Sequence, residues 1–228
     1  MSRQKKQPCL YLKHGDTRFK IDKFTTVVMG NIGSGKSTLL KMIKDHYAFK
    51  IQTFPEPTGE WEYYLQYTLN HPNENDEIVL QAVINQWFFK LKHLILPKCT
   101  LPVVMERSAL ESKQIFGRLY QEDNKLNEMG IKFLEKQFFE NQIEPDFYVY
   151  VNTSPKTCVL RKTHRGRNYE KIGSISEELK LWTRYDRYYK DLIKDLKNNG
   201  KLVFIIDGEK SKQSVFEAFK TSVIRYFH

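Results

Sequence analysis

The sequence predicts an α/β protein built on a five-stranded parallel sheet flanked by helices. Three observations point there. Five short runs rich in β-branched and aromatic residues recur at wide spacing: Thr25–Met29, Lys50–Phe54, Pro102–Met105, Phe147–Val151 and Leu202–Ile206. Continuous apolar runs of this kind are what strands covered on both faces look like. Between them lie segments long enough for helices, several of them amphipathic, such as Ile78–Leu96 and Ile131–Asn141. The first run also passes directly into a glycine-rich loop and then into the helical stretch Leu39 to Ile43. Strands alternating with helices make βαβ units, and ligands of such sheets bind at the carboxyl ends of the strands.

The chain has 228 residues, with no repeat, low-complexity tract or linker rich in Pro, Gly or Ser. One domain over residues 25–228 is expected, after a basic extension over residues 1–24. Within that extension Cys9–Ile21 carries Gly15-Asp16 between two alternating stretches, a candidate hairpin. No apolar run approaches the roughly 18 residues of a membrane span, and the basic N-terminus lacks the apolar core of a secretory signal. Cys9, Cys99 and Cys158 are scattered without CxxC spacing. That excludes a disulfide scaffold or a cysteine zinc site and suits a reducing compartment. An intracellular, cytoplasmic address is expected; the first fifteen residues carry no acid, which keeps mitochondrial import open. Lys and Arg number 37 against 27 Asp and Glu, a formal charge of +10. The partner is therefore anionic, either nucleic acid or a phosphorylated small molecule.

The loop after the first run reads Gly30-Asn31-Ile32-Gly33-Ser34-Gly35-Lys36-Ser37-Thr38. It satisfies G-x-x-x-x-G-K-[ST] in full and in a strand–loop–helix context. Glycines let the backbone wrap a phosphate with its N–H groups inward, and the helix N-terminus adds partial positive charge. Lys36 can reach terminal phosphates, and Ser37 can ligate Mg²⁺. These nine residues predict a nucleoside triphosphate site.

Carboxylates stand at the next two strand ends. Glu56 lies between Pro55 and Pro57, which fix φ and stiffen the turn. A carboxylate held beside a phosphate can accept a proton from an attacking hydroxyl, although Pro-Glu-Pro alone is ordinary loop chemistry. The third run ends in Glu106-Arg107-Ser108. Glu106 takes the place where many loop-binding NTPases carry an Asp that orients Mg²⁺, and Arg107 can hold a phosphate or a neighbouring carboxylate. Farther on, Arg161, Arg165 and Arg167 fall at spacings of four and two, with Gly166 between the last pair. They read as an arginine-rich lid able to grip phosphoryl oxygens bidentately; the rival reading is a nucleic-acid patch.

Taken together, GNIGSGKST, PEP with a Trp five residues beyond its Glu, ERS, and R-x-x-x-R-G-R-N-x-E resemble the deoxynucleoside kinase family. That family includes deoxycytidine and deoxyguanosine kinases and thymidine-accepting members. The resemblance runs from about Thr25 to the C-terminus and implies a P-loop kinase fold with ATP and Mg²⁺. By this resemblance Glu56 is the general base for the 5′-hydroxyl, with Arg107 beside it. Trp61, Gln81 and Phe116 belong to the substrate pocket, where Gln81 reads the base and Phe116 stacks on it. Glu106 and Ser37 meet the metal; Arg161, Arg165 and Arg167 form the lid; Glu170 meets the sugar 3′-hydroxyl. Asp207 falls where the adenine-contacting loop begins. Two departures stand out. No tyrosine aligns at Leu69, where the family has one for the 3′-hydroxyl, and Tyr67 is the nearest. Phe88 and Ser112 occupy the places where the cytidine- and guanosine-selective members carry Arg and Asp, which points to pyrimidines including thymidine.

The expected function is ATP-dependent phosphorylation of a deoxynucleoside, with a homodimer implied by the resemblance. Two alternatives stand beside it. A nucleoside monophosphate kinase of the thymidylate type shares the loop and lid but needs a cation where Glu56 sits. An ATP-dependent nucleic-acid-binding protein would use the +10 charge, but the densest arginine set has the spacing of a lid.

Overall fold

The computed structural model describes residues 24–70, 76–166 and 174–227. Five strands, β1 (Thr25–Met29), β2 (Gln52–Phe54), β3 (Val103–Glu106), β4 (Phe147–Asn152) and β5 (Val203–Asp207), form one sheet in the order β2-β3-β1-β4-β5. Every neighbouring pair is parallel. The helices are α1 (Lys36–Tyr47), α2 (Glu62–Asn70), α3 (Asp76–Lys90), α4 (Ala109–Glu111), α5 (Arg118–Glu122), α6 (Glu128–Asn141), α7 (Pro155–Arg165), α8 (Ile175–Asn198) and α9 (Lys212–Ser222).

The central strand shows why its sequence is apolar throughout. Val27 and Met29 face a core that includes Phe88 of α3 and Trp182, Tyr185 and Tyr189 of α8. Val28 faces the opposite core, with Leu39, Leu40 and Ile43 of α1 and Phe216 and Phe219 of α9. Helices on both faces leave β1 no wet side, so alternation disappears. Phe24 packs edge-on against Phe147 at 6.0 Å between ring centroids and belongs to the second core.

Several boundaries differ from the sequence expectation for local reasons. Lys50 and Ile51 both donate their amides to the Tyr47 carbonyl and close the end of α1, so β2 begins only at Gln52. Pro102 has no N–H to give a ladder, and β3 starts at Val103, whose amide reaches the Phe24 carbonyl at 2.7 Å. The single helix expected over Ile78–Leu96 is α3 followed by a wide π turn over Leu91–Ile95 and a 3₁₀ turn over Leu96–Lys98, which contains Pro97. Helix α6 starts earlier than Ile131, because the Asn127 side chain accepts from the Gly130 amide and caps it at Glu128. A Ser174/Glu177 capping box opens the 24-residue α8. The extension with its candidate hairpin and the core of the arginine-rich lid fall outside the described residues.

From β1 the chain runs to β2 and β3 on one side, then crosses to β4 and β5 on the other. The carboxyl ends of β1 and β3 thus border the switch point, where sheets of this kind bind ligands.

Candidate active site

The phosphate loop leaves β1 at this switch point and is wired to three neighbours. The Asn31 side-chain amide donates to the Trp182 carbonyl at 3.0 Å, and the Trp182 indole N–H donates to the Ile32 carbonyl at 2.9 Å. Thr153 Oγ1 donates to the Ser34 carbonyl at 3.1 Å. Arg161 reaches the carbonyls of Gly208 at 2.9 Å and Ser34 at 3.4 Å. The loop needs glycine at Gly33: its φ is +85°, and a Cβ there would lie 2.3 Å from the Cys158 carbonyl oxygen. Gly35 enters α1 in the left-handed region with no side-chain cap, so the first turn presents its amides to an anion. Lys36 is buried and donates to the Gly30 and Asn31 carbonyls, each at 2.9 Å. Burial, helped by the nearby Arg107 charge, pulls the Lys36 ammonium below its ordinary value.

Opposite the loop, β3 delivers charged side chains into a dry setting. Ser37 Oγ donates to Glu106 Oε1 at 2.9 Å, and the Glu56 amide reaches Glu106 Oε2 at 3.4 Å. Arg107 has φ +60°, in the left-handed region that a side chain of this size rarely adopts. Its amide donates to the Val28 carbonyl at 3.0 Å, and Nη1 spans both Glu56 oxygens at 2.9 and 3.0 Å. Burial pushes the Glu56 carboxyl up from its ordinary value, against the pull of Arg107. Burial also works against charge on Arg107, but Glu56, Tyr189, Glu111 and Glu106 together lift the guanidinium well above its ordinary value.

A cavity of about 850 Å³ runs continuously from this charged centre in two directions. One end passes over the phosphate loop toward Gly208 and Lys212; the other is apolar and aromatic, lined by Trp61, Leu80, Ile84, Phe88, Phe116, Tyr120 and Tyr185. Gln81 is 1% exposed there, and its side-chain carbonyl has no hydrogen-bond partner among the described residues. The Phe116 and Tyr185 rings meet edge to face at 5.4 Å, and the Arg107 guanidinium lies 5.0 Å from the centre of the Phe116 ring.

Of the residues singled out from the sequence, Ile32, Gly33, Ser34, Gly35, Lys36, Ser37, Thr38, Glu56, Trp61, Gln81, Phe88, Glu106, Arg107, Ser112, Phe116, Arg161 and Arg165 all line this one cavity. Gly30 and Asn31 stand behind its wall and shape the loop, their carbonyls holding Lys36. Asp207 is set back as well; it accepts from the Glu209 amide at 2.9 Å, while its neighbour Gly208 forms the wall. Tyr67 is not among the lining residues; it stacks on Tyr63 on the outer side of α2. Arg167 and Glu170 lie outside the described residues. Sequence reasoning missed Glu111, Tyr120, Trp182, Tyr185 and Tyr189. For Glu111 a signal was present, since Ser108-x-x-Glu111 is a capping box.

Among the described residues no cluster of three or more His, Cys, Asp or Glu side chains could cage a metal ion. The adjacent Ser37 hydroxyl and Glu106 carboxylate nonetheless fit Mg²⁺, which takes few protein oxygens and completes its shell with phosphate and water. Nor is any helix among the described residues long and apolar enough to cross a membrane.

A parallel sheet of this order, with a phosphate loop at its switch point, is the architecture of P-loop kinases. Deoxyadenosine kinase from M. mycoides shares it. Its complex with the products dCMP and a flexible dCDP superposes with a TM-score of 0.73 at 20% identity, covering 88% of this chain and 98% of that one. Its dCTP complex gives 0.71 at 21% identity over the same shares. The family model described as deoxynucleoside kinase matches residues 26–227, and the chain belongs to that family of kinases. Thymidine kinase 2, mitochondrial, of Macaca fascicularis is 29% identical over 168 residues. The match covers 68% of this chain and spans 60% of the length of the macaque protein.

Proposed function

We propose that this chain transfers the γ-phosphoryl group of ATP to the 5′-hydroxyl of a deoxynucleoside, a pyrimidine including thymidine, and releases the monophosphate. One observation carries the reading: the Glu56–Arg107 pair stands between the phosphate loop and the aromatic pocket, inside a single cavity. A nucleoside in that pocket and a triphosphate on the loop would meet at Glu56.

In this reading Lys36 and the amides of the first turn of α1 hold the donor phosphates, and Arg161 and Arg165 face them from α7, joined by Arg167. Glu56 takes the proton of the 5′-hydroxyl as the oxygen attacks; burial, which raises its affinity for a proton, suits a base. Ser37 and Glu106 would hold Mg²⁺, which when bound offsets charge on the donor phosphates. Trp61 and Phe116 enclose the base, the unpartnered Gln81 carbonyl is free to accept a hydrogen bond from it, and Glu170 meets the 3′-hydroxyl. Phe88 and Ser112 offer the base no charge, and the name of the macaque relative, a thymidine kinase, agrees with a pyrimidine. Asp207 would mark the adenine end. An intracellular address fits this chemistry, and the mitochondrial location in that relative's name makes import one of the two addresses to test. Exposed apolar side chains on two packed helices, Phe89 of α3 and Met129, Phe133 and Phe139 of α6, suit a homodimer.

A monophosphate kinase would need a cation for the acceptor phosphate. The side chain there is Glu56, with both oxygens engaged by Arg107, which disfavours that reading. The test is a panel of the four deoxynucleosides plus thymidine monophosphate, with γ-labelled ATP and Mg²⁺. Label in thymidine monophosphate made from thymidine supports the proposal. Label passing only to added thymidine monophosphate overturns it.

A further inference from the structure

Glu111 is fully buried and takes no part in the function proposed above. Its Oε2 accepts from the Ser108 amide at 3.2 Å, its Oε1 accepts from the Tyr189 hydroxyl at 2.8 Å, and Oε1 lies 3.7 Å from Arg107 Nε. Arg107 Nε is buried and has no hydrogen-bond partner among the described residues. The guanidinium is thus held between two carboxylates, Glu56 on Nη1 and Glu111 facing Nε, with the Phe116 ring 5.0 Å from its Cζ. Capping a three-residue helix does not account for the arrangement, because burying a carboxylate is costly and a neutral side chain would serve that amide.

We propose that Glu111, held by Tyr189, is a positioning residue that keeps Arg107 in place through turnover. The proposal rests on the kinase reading given above, in which Glu56 accepts the hydroxyl proton. As the O–H bond breaks and the proton passes to Glu56, that side chain loses its negative charge and its hold on Arg107. A buried guanidinium without a counter-ion would be costly. Neutralising Glu56 also removes a negative charge that helps to hold the Glu111 carboxyl up, which favours the ionised form of Glu111 just when Glu56 lets go. Glu111 then stands beside the guanidinium, so Arg107 need not shift, and Glu56 can turn from it to the hydroxyl and back. Of the other charged groups close by, Glu106 is engaged by the Ser37 hydroxyl and the Glu56 amide, and Lys36 by its own loop carbonyls.

Three variants and two readouts test this. Glu111→Gln keeps the shape and the cap acceptor but removes the charge; Glu111→Asp keeps the charge; Tyr189→Phe removes the hydroxyl that holds Glu111. The first readout is the Arg107 Nε–H resonance in ¹⁵N-arginine-labelled protein without substrate, assigned by its loss in Arg107→Lys. It should exchange slowly with water in the wild type and rapidly in Glu111→Gln. The second is steady-state kinetics with thymidine. In Glu111→Gln kcat should fall about ten- to a hundredfold, the scale of a misplaced catalytic group, while KM stays within about threefold. Glu111→Asp should restore part of that loss, and Tyr189→Phe should show a smaller loss of the same kind. Wild-type kcat with an unchanged Arg107 resonance in folded Glu111→Gln overturns the proposal. If Glu111→Gln does not fold, wild-type kcat and Arg107 exchange in both other variants overturn it. A wild type that phosphorylates no deoxynucleoside defeats the functional reading instead, and the resonance still decides whether Glu111 holds Arg107.

Discussion

The two ends of the cavity are built in different materials. The phosphate end is made of backbone: amides at the start of α1, glycines with dihedrals other residues resist, and carbonyls that seat Lys36. The aromatic end, where we propose that the nucleoside sits, is made of side chains from α3, the loop after β2, the segment after β3 and α8, with Phe88 at 1% and Gln81 at 1% exposure. Backbone sites tolerate little change and serve any triphosphate alike. Side-chain sites can be re-cut for a different base without disturbing the fold. Between the two lies Arg107, whose backbone is strained and whose guanidinium grips Glu56.

Changes at the phosphate end should therefore remove catalysis whatever the acceptor. The largest effect is expected from Lys36→Ala: no measurable transfer to any deoxynucleoside, with circular dichroism and melting showing a folded protein. Turnover like the wild type in that protein would break the contrast. Arg165→Ala should come next. It lies at the exposed end of α7 on the cavity wall, and loss of an arginine that meets developing phosphoryl charge lowers kcat by about 10³-fold. If the arginines serve nucleic acid instead, kcat will be unchanged. Oligonucleotide binding will then weaken, and the slope of its salt dependence will fall by about one unit for each phosphate no longer neutralised.

Changes at the nucleoside end should alter choice rather than rate. Thymidine and deoxycytidine should exceed deoxyguanosine in kcat/KM by about tenfold or more, and Phe88→Ala should narrow the gap by widening the pocket. A clear deoxyguanosine preference in the wild type would show that Phe88 and Ser112 do not set the base. The smallest effect concerns stability. Burial lifts the Glu111 carboxyl from 4.5 to about 7. A folded-state value above the unfolded one means that the native chain binds this proton more tightly. The stability it confers is complete below about pH 4.5 and is lost as the pH rises toward 7. Unfolding titrations of wild type and Glu111→Gln across that window should differ by up to one proton in slope, with the wild type losing stability faster as pH rises.

The same contrast explains what could be read from the sequence. The phosphate loop was legible to the residue, because its geometry demands glycines and a lysine at fixed spacing. The five strands were legible because burial on both faces makes them apolar; β2 and β3 begin later than expected where the close of α1 and Pro102 intervene, and β3, β4 and β5 each run one residue further, to Glu106, Asn152 and Asp207. That Trp61, Gln81 and Phe116 share one cavity wall was legible only through resemblance. Gln81 looks like a surface glutamine and Phe116 like core, and only the bend of the chain after β3 brings them to one wall. Glu111 and Tyr189 lie 78 positions apart, and no local pattern links a capping glutamate to a tyrosine in the middle of α8. Tyr67, the nearest tyrosine to the position expected for the sugar, turns outward to Tyr63.

Glu56, held by Arg107 where the two ends meet, is the group we propose takes the proton from the acceptor. Glu56→Gln keeps the shape and an amide oxygen for Arg107 but cannot accept that proton. Steady-state kinetics with thymidine and ATP should show kcat lowered by about a hundredfold or more, with KM for both substrates changed far less. Equal kcat in wild type and Glu56→Gln would return Glu56 to a structural role and leave the acceptor proton with another base.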